Sequence, residues 1–96
     1  MITLLTNAIQ SQLLIEFDYD GGLRIVEPHC HGVSSKGNHV LRAYQVDGYS
    51  STGKMGWKLY DLSKVASILV REDDVFLIRA DYKPGDKGMI SIYHEL

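Results

Sequence analysis

The sequence predicts a mainly β fold, a small five-stranded barrel with a short N-terminal helix and a C-terminal tail docked on it. Three observations carry this. Leu13, Ile15, Phe17 and Tyr19 alternate with the mainly acidic set Leu14, Glu16, Asp18 and Asp20, the mark of a half-buried strand. The apolar runs that follow are joined by short links, as in small closed β architectures. Pro28 interrupts the stretch Leu23 to His31, LRIVEPHCH. A proline cannot donate to a β ladder, so its strand lies at an edge or bends there, and such bends curl a small sheet towards a barrel.

Taken in order, Ile2, Leu5 and Ile9 with Leu4 and Ala8 form one apolar helical stripe, which predicts a helix over about Thr3 to Ser11, capped by Thr3. The strand Leu13 to Tyr19 follows. Asp20-Gly21-Gly22 supplies the positive φ angles of a tight hairpin, and Leu23 onwards is the return strand. Ser34-Ser35-Lys36-Gly37 reads as a four-residue loop before a strand from Asn38 to Val46. That loop length sets Val33 opposite Asn38, His31 opposite Val40, His29 opposite Arg42 and Glu27 opposite Tyr44. Opposed residues share a face, so Glu27, His29, His31, Arg42 and Tyr44 are expected together. Asp47 to Gly56 is a long loop. Trp57 to Leu62 and Val65 to Val70 are strands joined at Ser63-Lys64, and Arg71 to Asp74 is a charged turn. Val75 to Ile78 is a candidate short strand and Lys83 to Gly88 a loop. Met89 to Tyr93 must dock, as strand or helix, since five residues do not discriminate the period.

With 96 residues the chain has room for one domain, spanning 1–96, and not two. Its 45% hydrophobic and 23% charged residues are ordinary globular values. Ten Lys plus Arg against twelve Asp plus Glu leave a formal charge of −2, so any nucleic-acid binding uses a local patch. The single cysteine, Cys30, has no internal partner for a disulfide, which suits a reducing cytoplasm. No apolar run is long enough to span a membrane, and the N-terminus has no signal-like pattern.

Three groups of residues invite a chemical reading. Gly48 to Gly53 and Lys54 match the first seven positions of a phosphate-binding P-loop. Met55 stands where a Ser or Thr should hold magnesium, and a strand follows where a helix is required; a flexible hairpin loop is the better reading. In a regular strand His29 and His31 share one face and Cys30 points to the other. Neither histidine then activates the thiol, and with Glu27 they fall short of a complete metal ligand set unless the register holds; no metal or cofactor is expected. Arg24, Arg42, Lys54, Lys58 and Lys64 are interleaved with Tyr44, Trp57 and Tyr60. Cations beside exposed rings suit single-stranded nucleic acid, whereas buried rings and solvated charges are the ordinary alternative.

Ala8-Ile9, Ile15 to Tyr19, Arg24-Ile-Val-Glu-Pro-His29, Val40 to Tyr44 and Trp57 to Val65 stand in the order and spacing of the WYL domain. The tail Tyr82-Lys-Pro-Gly-Asp86 with Gly88-Met89 resembles its compact stand-alone members. The resemblance implies a bacterial or phage protein with an SH3-like, Sm-like barrel, a regulatory rather than enzymatic role, and an anionic ligand such as nucleic acid or a nucleotide. Carried over by position, the ligand-meeting cations are Arg42, Lys58 and Lys64; with Arg24, and with Tyr44 and Trp57 as stacking surfaces, they are the expected binding residues. The chain departs from the family at His39-Val40-Leu41, which keeps only the leucine of the naming Trp-Tyr-Leu. It departs again at Tyr60-Asp61-Leu62-Ser63-Lys64-Val65, where an acid replaces one arginine, serine replaces aspartate and lysine replaces a second arginine. Lysine lacks the planar fork of arginine. One short helix cannot supply the helix-turn-helix most such regulators carry, so the expected partner is a separate protein, or the chain acts alone or as a homo-oligomer.

Overall fold

In the computed structural model, which describes residues 1–96, the chain opens with helix α1 (Ile2–Ser11), burying Leu5, Ala8 and Ile9. Thr3 does not cap it: the helix starts a residue earlier, Met1 takes the N-cap position and no side chain bonds the first-turn amides. Gln12 ends it by turning left-handed, φ 54°. The Gln12 side chain donates to the Phe76 carbonyl at 2.8 Å and Phe76 N–H returns a bond to the Gln12 carbonyl at 2.9 Å. The helix end is thereby tied to the C-terminal third of the chain.

Six strands follow: β1 (Leu13–Tyr19), β2 (Gly22–Val33), β3 (His39–Gly48), β4 (Gly56–Asp61), β5 (Val65–Val75) and β6 (Ser91–Glu95), with a 3-10 turn at Leu62–Lys64 between β4 and β5. They form one antiparallel sheet in the order β4-β3-β2-β1-β5, and β6 also pairs with β2. The fold is mainly β, as expected, with 53% of residues in strands; the sheet is not closed, and β4 and β5 are its ends. Asp20 and Gly21, both at positive φ, make the β1–β2 turn. No helix is long and apolar enough to cross a membrane.

Strand β2 is the centre of the sheet. Along one side it pairs with β3 throughout; along the other it pairs with β1 as far as Val26 and with β6 from Cys30. Pro28 falls in the gap between those two partners, where a residue without an N–H is tolerated. The tail therefore docks as a strand, which resolves the ambiguity of Met89 to Tyr93.

Two parts of the expected register are corrected. Val33 pairs with His39, not Asn38, and His31 with Leu41, because the link includes Asn38, whose carbonyl accepts from Ser34 N–H at 2.9 Å. A bulge between Pro28 and Cys30 absorbs the offset, so Glu27 still faces Tyr44 while Cys30, not His29, faces Arg42. A bulge puts an extra residue into the strand, and beyond it the alternation of faces is inverted. His31 consequently leaves the face that holds Glu27, His29, Arg42 and Tyr44. A third correction concerns Arg71 to Asp74, expected as a turn. It lies within β5, although the register slips across it, with Val70 pairing Ile15 and Val75 pairing Leu13. Val75 closes that strand, and Phe76 to Ile78 form no strand of their own.

The main core lies under α1 and contains Leu5, Ile9, Ile15, Phe17, Leu41 and Tyr60. Phe17, Tyr19 and Tyr60 meet edge to face at 5.0–6.3 Å. A smaller cluster of Cys30, Val40 and Met89, backed by Tyr82 and Ile92, packs on the opposite face of the sheet.

Candidate functional site

On that opposite face the segment from Phe76 to Met89 lies over β2, β3 and β4 and builds an aromatic cluster. His29 is its centre, with Trp57, Phe76 and Tyr82 at ring-centroid distances of 4.8, 5.1 and 5.0 Å. Tyr44 meets Trp57 edge to face at 5.4 Å. His29 is fully buried, yet both ring nitrogens are used: Nδ1 donates to the Glu27 carbonyl at 2.9 Å, and Nε2 accepts from Arg79 N–H at 3.3 Å. Burial, the dominant cause, holds its pKa below the ordinary histidine value. A neutral ring in that tautomer is a structural pivot, and no three of the chain's His, Cys, Asp and Glu side chains converge as a metal site requires.

Two guanidinium groups flank the rings, each gripped in a bidentate fork. Arg79 bonds Glu27 at 2.7 and 3.1 Å and lies 3.8 Å over the Tyr44 ring. Arg42 bonds Asp86 at 2.6 and 3.2 Å. Hydrogen bonds from Arg42, with a further one from Gly88 N–H, hold the Asp86 carboxyl below the usual carboxylate range. Arg42, Trp57, Asp81, Tyr82, Lys83 and Asp86 line a cleft of about 200 Å³, and Trp57 Nε1 donates to Asp81 at 2.9 Å. Removing the Glu27 carboxylate tests the Arg79 fork: Glu27→Ala is expected to lower stability by about 1–3 kcal/mol, read as a lower urea midpoint with unchanged m-value.

Of the six residues expected to bind ligand, the structure brings together Arg42, Tyr44 and Trp57. Arg24 is buried on another part of β2, donating to the Tyr19 carbonyl at 2.9 Å and lying between the Tyr19 and Tyr49 rings at 5.4 and 5.2 Å. Its role is to hold the β1–β2 turn against the β3–β4 loop. Lys58 neighbours Trp57 in β4 and so faces the other way, with Nζ 3.4 Å from Ser50 Oγ. Lys64 is exposed in the 3-10 turn, and Tyr60 is core. The P-loop-like stretch is the β3–β4 link and opens no helix. Sequence reasoning missed Arg79 and Asp81, and took Tyr82 and Asp86 only as part of a family-like tail. No local pattern marks residues whose importance comes from packing across some 40 to 50 positions of chain, such as Asp86 on Arg42. Compared with known protein families, with characterised proteins and with solved structures, the chain finds no match.

Proposed function

We propose that this chain is a non-enzymatic, WYL-like sensing module of a bacterial or phage cytoplasm that binds an anionic ligand, single-stranded nucleic acid or a nucleotide, at the face of Arg42, Tyr44 and Trp57. The observation that carries this reading is the cleft lined by Arg42, Trp57 and Tyr82, with the Tyr44 ring behind Trp57, edge to face. Rings take bases by stacking and a guanidinium fork takes phosphate oxygens. The strand order β4-β3-β2-β1-β5 after an N-terminal helix supports the SH3-like, Sm-like barrel reading of the sheet. In the free protein the Asp86 carboxylate occupies the Arg42 fork, so the ligand's phosphate takes the place of an internal anion.

Fluorescence anisotropy of a labelled short single-stranded DNA, at low and at near-physiological salt, tests this. Arg42→Ala is expected to weaken binding by roughly tenfold or more, since a charge-assisted contact is worth about 1.5–3 kcal/mol. Asp86→Asn is expected to tighten it by freeing the fork. Unchanged affinity in a folded Arg42→Ala protein would remove the site.

A second reading, a protein-interaction or homo-oligomer module, is favoured by one feature. Val75 and Leu77 are 74% and 86% exposed and share a groove with Leu14, Val46 and Ile78, next to the open edge of β5. Exposed strand edges template pairing with other chains. Light scattering at working concentration checks the homo-oligomer form, which a strict monomer would contradict.

A further inference from the structure

The largest departure from polar satisfaction in the molecule lies on the α1 side of the sheet. His31 is fully buried, and neither ring nitrogen has a hydrogen-bond partner. A buried polar atom without a partner costs about 1–3 kcal/mol, and in a native protein it points to a water, ion or ligand at that place. His29, two residues earlier, shows the contrast, with both nitrogens satisfied inside the protein. His31 lines a cavity of about 700 Å³, shared with Ile2, Thr3, His39, Asp61 and Leu62. That volume is within the range of small-molecule sites.

The same cavity receives the start of α1. The first internal bond of the helix is Leu5 N–H to the Met1 carbonyl, so the N–H groups of Ile2, Thr3 and Leu4 have no acceptor within the helix, and no side chain caps them. A helix start of this kind favours a negative charge. Asp61 limits how much charge the cavity accepts. Ser63 N–H and Oγ–H bond its carboxylate at 3.0 and 2.8 Å, and those bonds hold its pKa low, so it stays ionised. The N-terminal ammonium of Met1, which also lines the cavity and acts on His31, offsets Asp61, so the site accepts one added negative charge more readily than two. The remaining lining is mixed: Met1, Ile2 and Leu62 with the His39 ring give it an apolar side, and Gly37, Asn38 and Ser63 a polar rim. His39 in turn stacks on Tyr93 at 5.4 Å with an interplanar angle of 10°.

We infer that this cavity binds a small monocarboxylate with an apolar body, its carboxylate oxygens accepting from the first-turn amides of α1 and from the ring N–H of His31, and its body lying against Ile2, Leu62 and His39. The site is on the opposite face of the sheet from the Arg42 cleft and does not depend on it.

The test is a titration of the full chain, labelled with nitrogen-15, with benzoate and separately with inorganic phosphate. The expected result is saturable shifts confined to the His31 ring nitrogens and the Ile2–Leu4 amides with benzoate, and binding of phosphate roughly tenfold weaker or worse. His31→Leu, which removes the unpartnered nitrogens and keeps an apolar side chain, is expected to fold and to bind benzoate about tenfold more weakly. Asp61→Asn, which keeps the turn cap, is expected to narrow the preference for benzoate over phosphate. Absence of shifts at His31, or equal benzoate affinity in His31→Leu, overturns the site and leaves an ordered water as the partner of the imidazole. Phosphate binding as tight as benzoate overturns the carboxylate assignment.

Discussion

Replacing Gly32 with alanine is expected to unseat β6 and to cost roughly 2–4 kcal/mol of stability, as overpacked and strand-breaking substitutions do. Gly32 pairs with Ile92 across a register shift between β2 and β6, and β6 passes so close that a Cβ there would press on the Ser91 carbonyl oxygen and stand 2.7 Å from the Met89 sulfur. The obstacle is backbone, which cannot rotate aside as a side chain can. The tail must therefore lift, and Met89 with it. Cys30 reports the event. Its thiol is buried against the Met89 sulfur at 3.4 Å, and burial, the main cause, pushes its pKa up to about 12, so in the native chain it is a poor nucleophile. In Gly32→Ala it is expected to react with a thiol reagent much faster under native conditions, together with a lower urea midpoint. Slow labelling at wild-type rate would mean that β6 accommodates the methyl group.

Acid is expected to destabilise the fold well before its carboxylates are titrated. Burial, with His39 adding a smaller effect, lowers the His31 pKa from 6.5 to about 4. Above about pH 6.5 neither the folded nor the unfolded chain binds a proton there. As the pH falls from 6.5 towards 4 the unfolded chain takes one up and the folded chain does not, so stability declines across that window and the loss is complete below it. The shift corresponds to a full loss on the order of 3 kcal/mol, and His29, displaced in the same direction, adds to it. Urea melts at pH 7 and pH 4.5 measure the difference. His31→Leu is expected to remove most of it and to be at least as stable as the native chain at pH 7. An undiminished pH dependence in that variant would assign the effect elsewhere.

Much of the sheet was legible in the sequence because its signals are local. The alternation from Leu13 to Tyr19 and the Asp20-Gly21 turn each rest on a few adjacent residues, and each stands where expected; at Pro28 the structure has a register shift inside the central strand. The register of β2 on β3 was not legible, since one more residue in the Ser34–Asn38 link and one bulge at His29 cancel by Glu27 but leave His31 on the wrong face between them. Arg71 to Asp74 read as a turn because charge runs usually leave a sheet; on a strand at the end of one they remain solvated within it. The candidate site was half legible. Arg42, Tyr44 and Trp57 are strand residues whose faces follow from pairing. The residues that answer them, Arg79, Tyr82 and Asp86, come from a segment with no periodic pattern, placed only when Phe76 anchors to the end of α1 and β6 anchors to β2.

The fork between Arg42 and Asp86 also sets an ion count. A phosphate that meets a bare arginine releases the cation condensed on it, and the affinity then falls with salt in proportion to the phosphates neutralised. On the proposed reading the arriving phosphate displaces the Asp86 carboxylate that holds Arg42 in the free chain, and the freed Asp86 gathers a cation of its own. One exchange cancels the other. The native chain is therefore expected to show a shallower log–log salt dependence than Asp86→Asn, by about 0.7 for the single phosphate at that fork, so that a ligand held there is retained with little sensitivity to the ionic strength around it.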